Sequence, residues 1–364
     1  MIEYIEKHFD NIAYSADFGY EDSAGDMKLQ KPYHEFDKHG LGWIDTSPWP
    51  VFLESVDWNK NYVVLDRIIE GYFPYYSMRV LHEEIRKHKY PANKIIFLSG
   101  DHCIEENYND WKLRSKFKDD VPINVIGILG IFNVTMDWVS NFENINEILL
   151  KNILITNERD KLFLFLTRKM WTYKEKFFKM IKSKGGLDVS IYSALDYGIY
   201  LDAEEHFKSG GDWNDQKELG NLKYELNKYY ENTYFETFCN CDIDERDGRV
   251  FLCEKNVKPL LHGQPFISLS NSGVLKVLRD MGFETYPELF DESYDNEVDI
   301  KERFNMVVTE IERYIDMWNK NKSEVHQIFS QDSILEKRKH NQNWLIYHNP
   351  VLPELNDKLS RVII

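Results

Sequence analysis

Long hydrophobic runs are missing from this chain of 364 residues. Its longest apolar stretches, such as Lys94–Ser99 and Leu162–Thr167, are strand-sized, well short of the roughly 20 residues that span a bilayer. The start, Met1-Ile2-Glu3-Tyr4-Ile5-Glu6, has no basic segment leading into an apolar core, so no secretory signal is read and a cytoplasmic location is expected. Cysteine is scarce. The four residues Cys103, Cys239, Cys241 and Cys253 are too few for a disulfide framework in a chain of this size. Cys239 and Cys241 would point the same way in a strand, but no second pair accompanies them, and buried thiols are the simpler reading. Positive charge is in deficit: 45 Lys+Arg against 61 Asp+Glu give a net −16. That disfavours tight non-specific binding to nucleic acid, which needs a basic surface, although a sum leaves room for a local basic cleft. No G-x-S-x-G elbow, P-loop or G-x-G-x-x-G fingerprint occurs, which removes the chemistries those motifs carry. No repeat of fixed period is visible.

Aromatics, by contrast, are abundant at 15%, which excludes low-complexity disorder. The length favours two domains over one. Residues 1–60 read as irregular, with Gly40-Leu41-Gly42-Trp43 and Pro48-Trp49-Pro50 interleaved. Beyond them, helical and strand patterns alternate. The spacing of Met78, Leu81 and Ile85 predicts a helix over 77–89, stopped by Pro91, and Lys94–Gly100 is a short apolar strand. Val121–Leu129 reads as a strand and Asn141–Leu150 as a helix. Leu162–Thr167 is continuously apolar, as expected for a central parallel strand. A helix over Trp171–Lys184 and strands at Val189–Ser193, Thr233–Cys241 and Pro265–Leu269 follow. Residues 202–222 are a polar loop or insert, and Ile300–Asn319 is a long amphipathic helix. The reading is an α/β protein of two Rossmann-like domains facing a central cleft: residues 1–155 on the acceptor side, 156–334 binding the nucleotide, and 335–364 packing back across the junction.

The most informative stretch is Leu252-Cys253-Glu254-Lys255, followed by His262-Gly263-Gln264-Pro265-Phe266-Ile267. A Glu-Lys pair that opens a helix joins a positive helix end to a lysine for phosphate and a carboxylate for a ribose diol. The same pair also reads as an ordinary helix-start pair. Together with Phe235-Glu236-Thr237-Phe238-Cys239-Asn240, this stretch resembles the donor-binding region of GT-B glycosyltransferases, the fucosyltransferase-like group above all. Gly273–Tyr286 and Asp291-Glu292-Ser293-Tyr294-Asp295 resemble phage and bacterial glycosyltransferase-like proteins. The likeness spans roughly 160–320. Cys253 stands where that pattern usually has Thr.

The resemblance implies a sugar transfer from a nucleotide-diphosphate sugar to a hydroxyl acceptor, with no cofactor and no catalytic metal. Glu254 would hold the ribose hydroxyls and Lys255 the diphosphate. Arg168, or its neighbour Lys169, would face the diphosphate after the central strand. Asn240 and Tyr234 would touch the base or sugar. Asp242-Ile243-Asp244 matches the metal-binding D-x-D triplet of another transferase class, but it reads as an acidic hairpin turn. In the first half, Asp101 and His102 follow a strand and are the leading general-base candidates, ahead of Asp45 and Glu54. Trp43, Trp49, Trp58, Tyr72, Tyr75 and Tyr76 could stack on a sugar or a base. Two rival readings stand beside this one. One is a viral DNA-base glycosyltransferase, for which Lys112, Arg114, Lys116 and Lys118 would be the basic patch. The other is a non-catalytic nucleotide-binding or assembly protein on the same fold. Richness in Asn, Ile, Lys and Tyr suggests an AT-rich genome, phage or bacterial.

Overall fold

A computed structural model describes residues 9, 12–16, 19–21, 27–29, 33–36, 43–46, 49–67, 75–101, 103–128, 153, 155, 157–167, 170, 172–201, 227–240, 243, 250, 252–348 and 351–362. It is a mixed α/β structure with two sheets of mainly parallel strands. Contacts divide the chain into two compact units. The first takes residues 1–133, 247–249 and 351–364, and the second takes 134–246 and 250–350.

The first unit contains β1 (Ile12–Ala16), β2 (Gly19–Glu21), β3 (Met27–Leu29), β4 (Tyr33–Phe36), β5 (Trp43–Thr46), α1 (Trp49–Ser55), β6 (Tyr62–Arg67), α2 (Tyr75–His88), β7 (Ile95–Ser99), α3 (Ile104–Arg114) and β8 (Asn124–Gly127). Its main sheet runs β3-β2-β1-β6-β7-β8. The strands β1, β6, β7 and β8 are parallel, and β2 and β3 fold back as antiparallel neighbours. The expectation that residues 1–60 are irregular is therefore corrected. They hold five short strands and a helix, and β4 and β5 form a separate pair. The strands are only three to five residues long, and β1 finds its partner some 50 positions away, Ile12 pairing with Tyr62. Val63, Val64 and Leu65 are all fully buried, as a central strand covered on both faces requires. Met78, Leu81 and Ile85 of α2 pack against Val63, Leu65 and Phe97 as their spacing predicts. The helix ends where Lys89 turns left-handed at φ 57°, two residues before Pro91.

The second unit contains β9 (Lys161–Thr167), α4 (Thr172–Ser183), β10 (Ser190–Ala194), α5 (Asn227–Glu231), β11 (Thr233–Cys239), α6 (Glu254–Leu261), β12 (Phe266–Leu269), α7 (Val274–Asp280), α8 (Ile300–Lys320), α9 (Lys322–Phe329) and α10 (Asp332–His348). Its four-stranded sheet runs β10-β9-β11-β12 with every pairing parallel. Leu162–Thr167 is central, as its unbroken apolar run predicts. The amphipathic face of α8 packs on this sheet and on α4: Tyr314 lies 5.4 Å from Phe235 of β11, and Phe304 lies 6.1 Å from Phe177 of α4, ring centre to ring centre. Asp299 starts α8 by accepting the Lys301 and Glu302 N–H groups.

The turn from α6 into β12 explains His262-Gly263-Gln264-Pro265. Gly263 sits at φ 57°, and a Cβ there would meet Ile153 Cγ1 at 2.9 Å. Gln264 donates to the Thr233 carbonyl at 2.6 Å and accepts from Arg159 and Arg338 at 3.4 Å each. This motif therefore locks a turn at the amino end of β12. A last helix, α11 (Val351–Val362), belongs to the first unit, where Lys358 donates to the Gly127 carbonyl at 2.7 Å. The helix expected at Asn141–Leu150 and the loop at 202–222 lie outside the described residues. Among the described residues no helix is long and apolar enough to cross a membrane.

Candidate functional site

Parallel strands bring their carboxyl ends to one edge of a sheet, and chemistry gathers there in open α/β folds. In the second unit β9 ends at Thr167, β11 at Cys239 and β12 at Leu269. Asn240 follows β11 directly, and its N–H donates to the Leu269 carbonyl at 2.9 Å. Its buried side chain donates to Asn256 Oδ1 at 3.2 Å and accepts from Cys253 Sγ at 3.3 Å. Cys253 is the N-cap of α6 and Asn256 closes a capping box with it, accepting the Cys253 N–H at 3.1 Å. These bonds tie the first turn of α6 to the carboxyl edge of the sheet. Asn240 was expected to touch a base or sugar. It is instead the buried tie that positions the helix. Tyr234 is likewise corrected. It lies near the amino end of β11, fully buried, with its hydroxyl accepting the Arg159 N–H at 3.0 Å.

Glu254 and Lys255 open α6, as the sequence predicts. They are paired at 2.6 Å, with side chains 33% and 14% exposed. Both are thus reachable and neither is loose. Burial pushes the Glu254 carboxyl upward, but the charges of Lys255 and Lys258 more than offset it and hold the group well below the usual carboxylate range. Glu254 is therefore a permanent acceptor at neutral pH. A second carboxylate, to which sequence reasoning assigns no role, lies near this pair. Glu236, in mid-strand on β11, is 1% exposed and accepts the Tyr230 hydroxyl at 2.7 Å. Burial pushes its carboxyl up to about 7, against the opposing Tyr230 bond and the Lys258 and Lys255 charges. The ring of His262 stacks on Tyr230 with centres 3.8 Å apart, and burial lowers its pKa to about 3. The signal for Glu236 was legible: one carboxylate in the apolar run Thr233–Cys239.

Lys255 pairs with Glu254 in the first turn of α6 and Lys258 stands in its last turn, and the charges of both lysines act on Glu254 and Glu236. A helix N-terminus with a lysine in its first turn favours an anion.

Arg168, Lys169, Asp242, Asp244 and His102 lie outside the described residues. Asp101 stands just past the carboxyl end of β7, but it is fully buried. Its two oxygens accept from Cys103 N at 2.9 Å and Asn107 Nδ2 at 3.2 Å, so it holds the first turn of α3. Of the basic residues proposed for a duplex acceptor, Lys112, Arg114 and Lys116 have partners. Arg114 pairs with Asp110 at 2.8 Å, Lys116 with Glu83 at 2.7 Å, and Lys112 donates to the Lys118 carbonyl at 3.0 Å. Trp58 stacks on Tyr90 at 4.8 Å. Tyr75 is 54% exposed. A pocket of about 330 Å³ between α3, β8 and α11 is lined by Glu105, Tyr108, Lys358 and Arg361. Lys358 and Glu105 there are already paired at 3.1 Å.

No family model, no curated protein and no solved structure matches the chain at a significant level.

Proposed function

We propose that the chain is a glycosyltransferase of two-domain GT-B type. It moves a sugar from a nucleotide-diphosphate sugar to a hydroxyl acceptor without a catalytic metal. The observation that carries this reading is the first turn of α6, tied by Asn240 to the carboxyl edge of a parallel sheet, with Glu254, Lys255 and Lys258 on one helix. Glu254, held ionised, accepts the two ribose hydroxyls. Lys255 and the positive helix end hold the diphosphate and take up its charge as it departs. In the transfer, the acceptor oxygen bonds to the anomeric carbon, the bond from that carbon to phosphate breaks, and the acceptor proton passes to a base. The buried, capping position of Asp101 speaks against its being that base. The net charge of −16 favours a small or glycan acceptor over duplex DNA.

The test is a thermal-shift panel of UDP-, GDP-, CMP- and TDP-sugars. A ligand at about 100 times its Kd adds roughly 2.7 kcal/mol of stability. One nucleotide class should raise the melting temperature, and its free diphosphate should compete. A flat response to the whole panel would overturn the donor site.

A further inference from the structure

A second cluster lies in the first unit, on α1 and α2. Glu84 and His88 are one helical turn apart on α2, so they share a face. Glu54 reaches them from α1. His88 Nε2 lies 3.2 Å from Glu84 Oε2 and 3.8 Å from Glu54 Oε1. The three ligand atoms fall within 4.8 Å of one another. Zinc bound at about 2.0–2.2 Å to nitrogen and oxygen sets tetrahedral ligand edges of roughly 3.3–3.6 Å. Two of the distances already bracket that edge, and a small rotation of the 58% exposed Glu54 side chain closes the third.

Two further features point to a cation rather than to a chance pairing. Glu84 Oε2 is sealed from solvent and makes no hydrogen bond of proper geometry, its contact being the His88 Nε2 at 3.2 Å, although a buried carboxylate oxygen ordinarily requires a hydrogen-bond partner. It is the oxygen nearest the imidazole nitrogen. The ring of His88 is also fixed. It stacks on Tyr90 at 5.2 Å and 11°, and Tyr90 in turn stacks on Trp58. Such support around a metal-binding histidine presets its orientation.

We propose that Glu54, Glu84 and His88 form a divalent transition-metal site, best suited to zinc. Solvent would fill the fourth position, and the metal would tie α1 to α2. A nitrogen ligand beside two carboxylates selects zinc over magnesium or calcium, which prefer oxygen alone. The site does not depend on the transfer reaction proposed above.

The probe is zinc chloride titrated calorimetrically into the full, reduced chain, with cobalt as the spectroscopic substitute. One zinc should bind per chain. His88→Ala should weaken it by more than about 100-fold, exceeding the effect of losing a supporting partner. Glu54→Gln, at an exposed position that cannot disturb folding, should weaken it at least about tenfold. The cobalt spectrum should lack the near-ultraviolet thiolate band. Absence of binding, unchanged affinity in either variant, a thiolate band pointing to the cysteines, or displacement of zinc by excess magnesium would each overturn the site.

Discussion

Two helices of the second unit begin at the same edge of the same sheet, and the chain treats their ends differently. At α7, Asp295 closes the terminus from inside. Its oxygens accept the Leu275 and Lys276 N–H groups at 2.8 and 3.0 Å, and its carbonyl accepts the Gly273 N–H at 2.7 Å. That carboxylate is 2% exposed. The positive end of α7 has its anion built in. At α6 the caps are neutral: an asparagine amide and a thiol. The charged residues of the first turns, Glu254 and Lys255, remain partly exposed. The difference teaches how to tell a structural helix end from one suited to a ligand. Where the protein supplies its own buried carboxylate, no exogenous anion is called for. Where it caps with neutral groups and leaves a charged pair, Glu254 and Lys255, partly exposed in the first turn, the end stays open to a ligand.

The largest expected effect falls on the closed end. Asp295→Ala removes a buried acceptor of two N–H groups and the carboxylate 3.7 Å from Arg279, which keeps its pairing with Glu292. The loss should be about 2–4 kcal/mol in urea denaturation, from the lost cap and the unsatisfied donors. Asp295→Asn should recover part of it. Nucleotide affinity at α6 should not change in either variant that folds. A parallel loss of affinity would erase the distinction between the two ends.

Beneath the open end, Glu236 gives a pH signature. Burial raises its folded pKa from 4.5 to about 7. The folded chain therefore holds this proton more tightly than the unfolded one. The resulting stability is fully present below the unfolded value and is lost as pH rises through about 7. Relative to Glu236→Gln, the native chain should lose roughly 2–3 kcal/mol between about pH 5 and about pH 8.5. Comparing the two chains cancels His262 and His82, whose pKa values burial lowers to about 3 and about 4. Parallel stability curves for the two would mean that Glu236 is ionised in the fold.

Much of this site is legible in the sequence, and the remainder has identifiable reasons for being hidden. The strands β7, β9, β11 and β12 announce themselves because parallel strands covered on both faces are continuously apolar. The start of α6 at Glu254 is readable from the charged pair after an apolar run. An apolar run such as Val250–Cys253 looks like a strand before the helix. Leu252 and Cys253 instead pass as non-strand backbone into the helix. The tie between Asn240, Cys253 and Asn256 is not readable, because side chains 13 and 16 positions apart meet only once the sheet has formed. The strands β1 to β5 are hidden for a related reason. Three- to five-residue strands carry too little periodicity to show, and β1 takes its parallel partner from 50 positions away.

The third effect tests the open end directly. Lys255→Ala should weaken binding of the best nucleotide by about 1.5–3 kcal/mol, roughly 10- to 150-fold, as a charge-assisted phosphate contact is lost. The matched change on α7 is Lys276→Ala. Lys276 pairs with Asp280 on an exposed surface, and its loss should leave affinity unchanged. Calorimetric titration of both variants reads the contrast. Equal losses would show that the effect is general electrostatics and not a contact at α6.

The smallest effect is the most specific. Glu254→Gln changes two things at once. It removes a carboxylate that accepts ribose hydroxyls, and it releases Lys255 from its 2.6 Å pairing. The second change strengthens the field on a phosphate, so absolute affinity mixes a loss with a gain. The ratio of affinities for a ribonucleotide and its 2′-deoxy counterpart isolates the first. The native chain should prefer the ribonucleotide by about 1 kcal/mol, roughly fivefold, since one hydroxyl contact to an ionised acceptor at a partly exposed site lies at the lower end of such bonds. In Glu254→Gln that preference should shrink toward one, while inorganic pyrophosphate binds as well as before or better. A preference that survives the substitution would move ribose recognition to another residue and leave Glu254 as no more than the partner that orients Lys255.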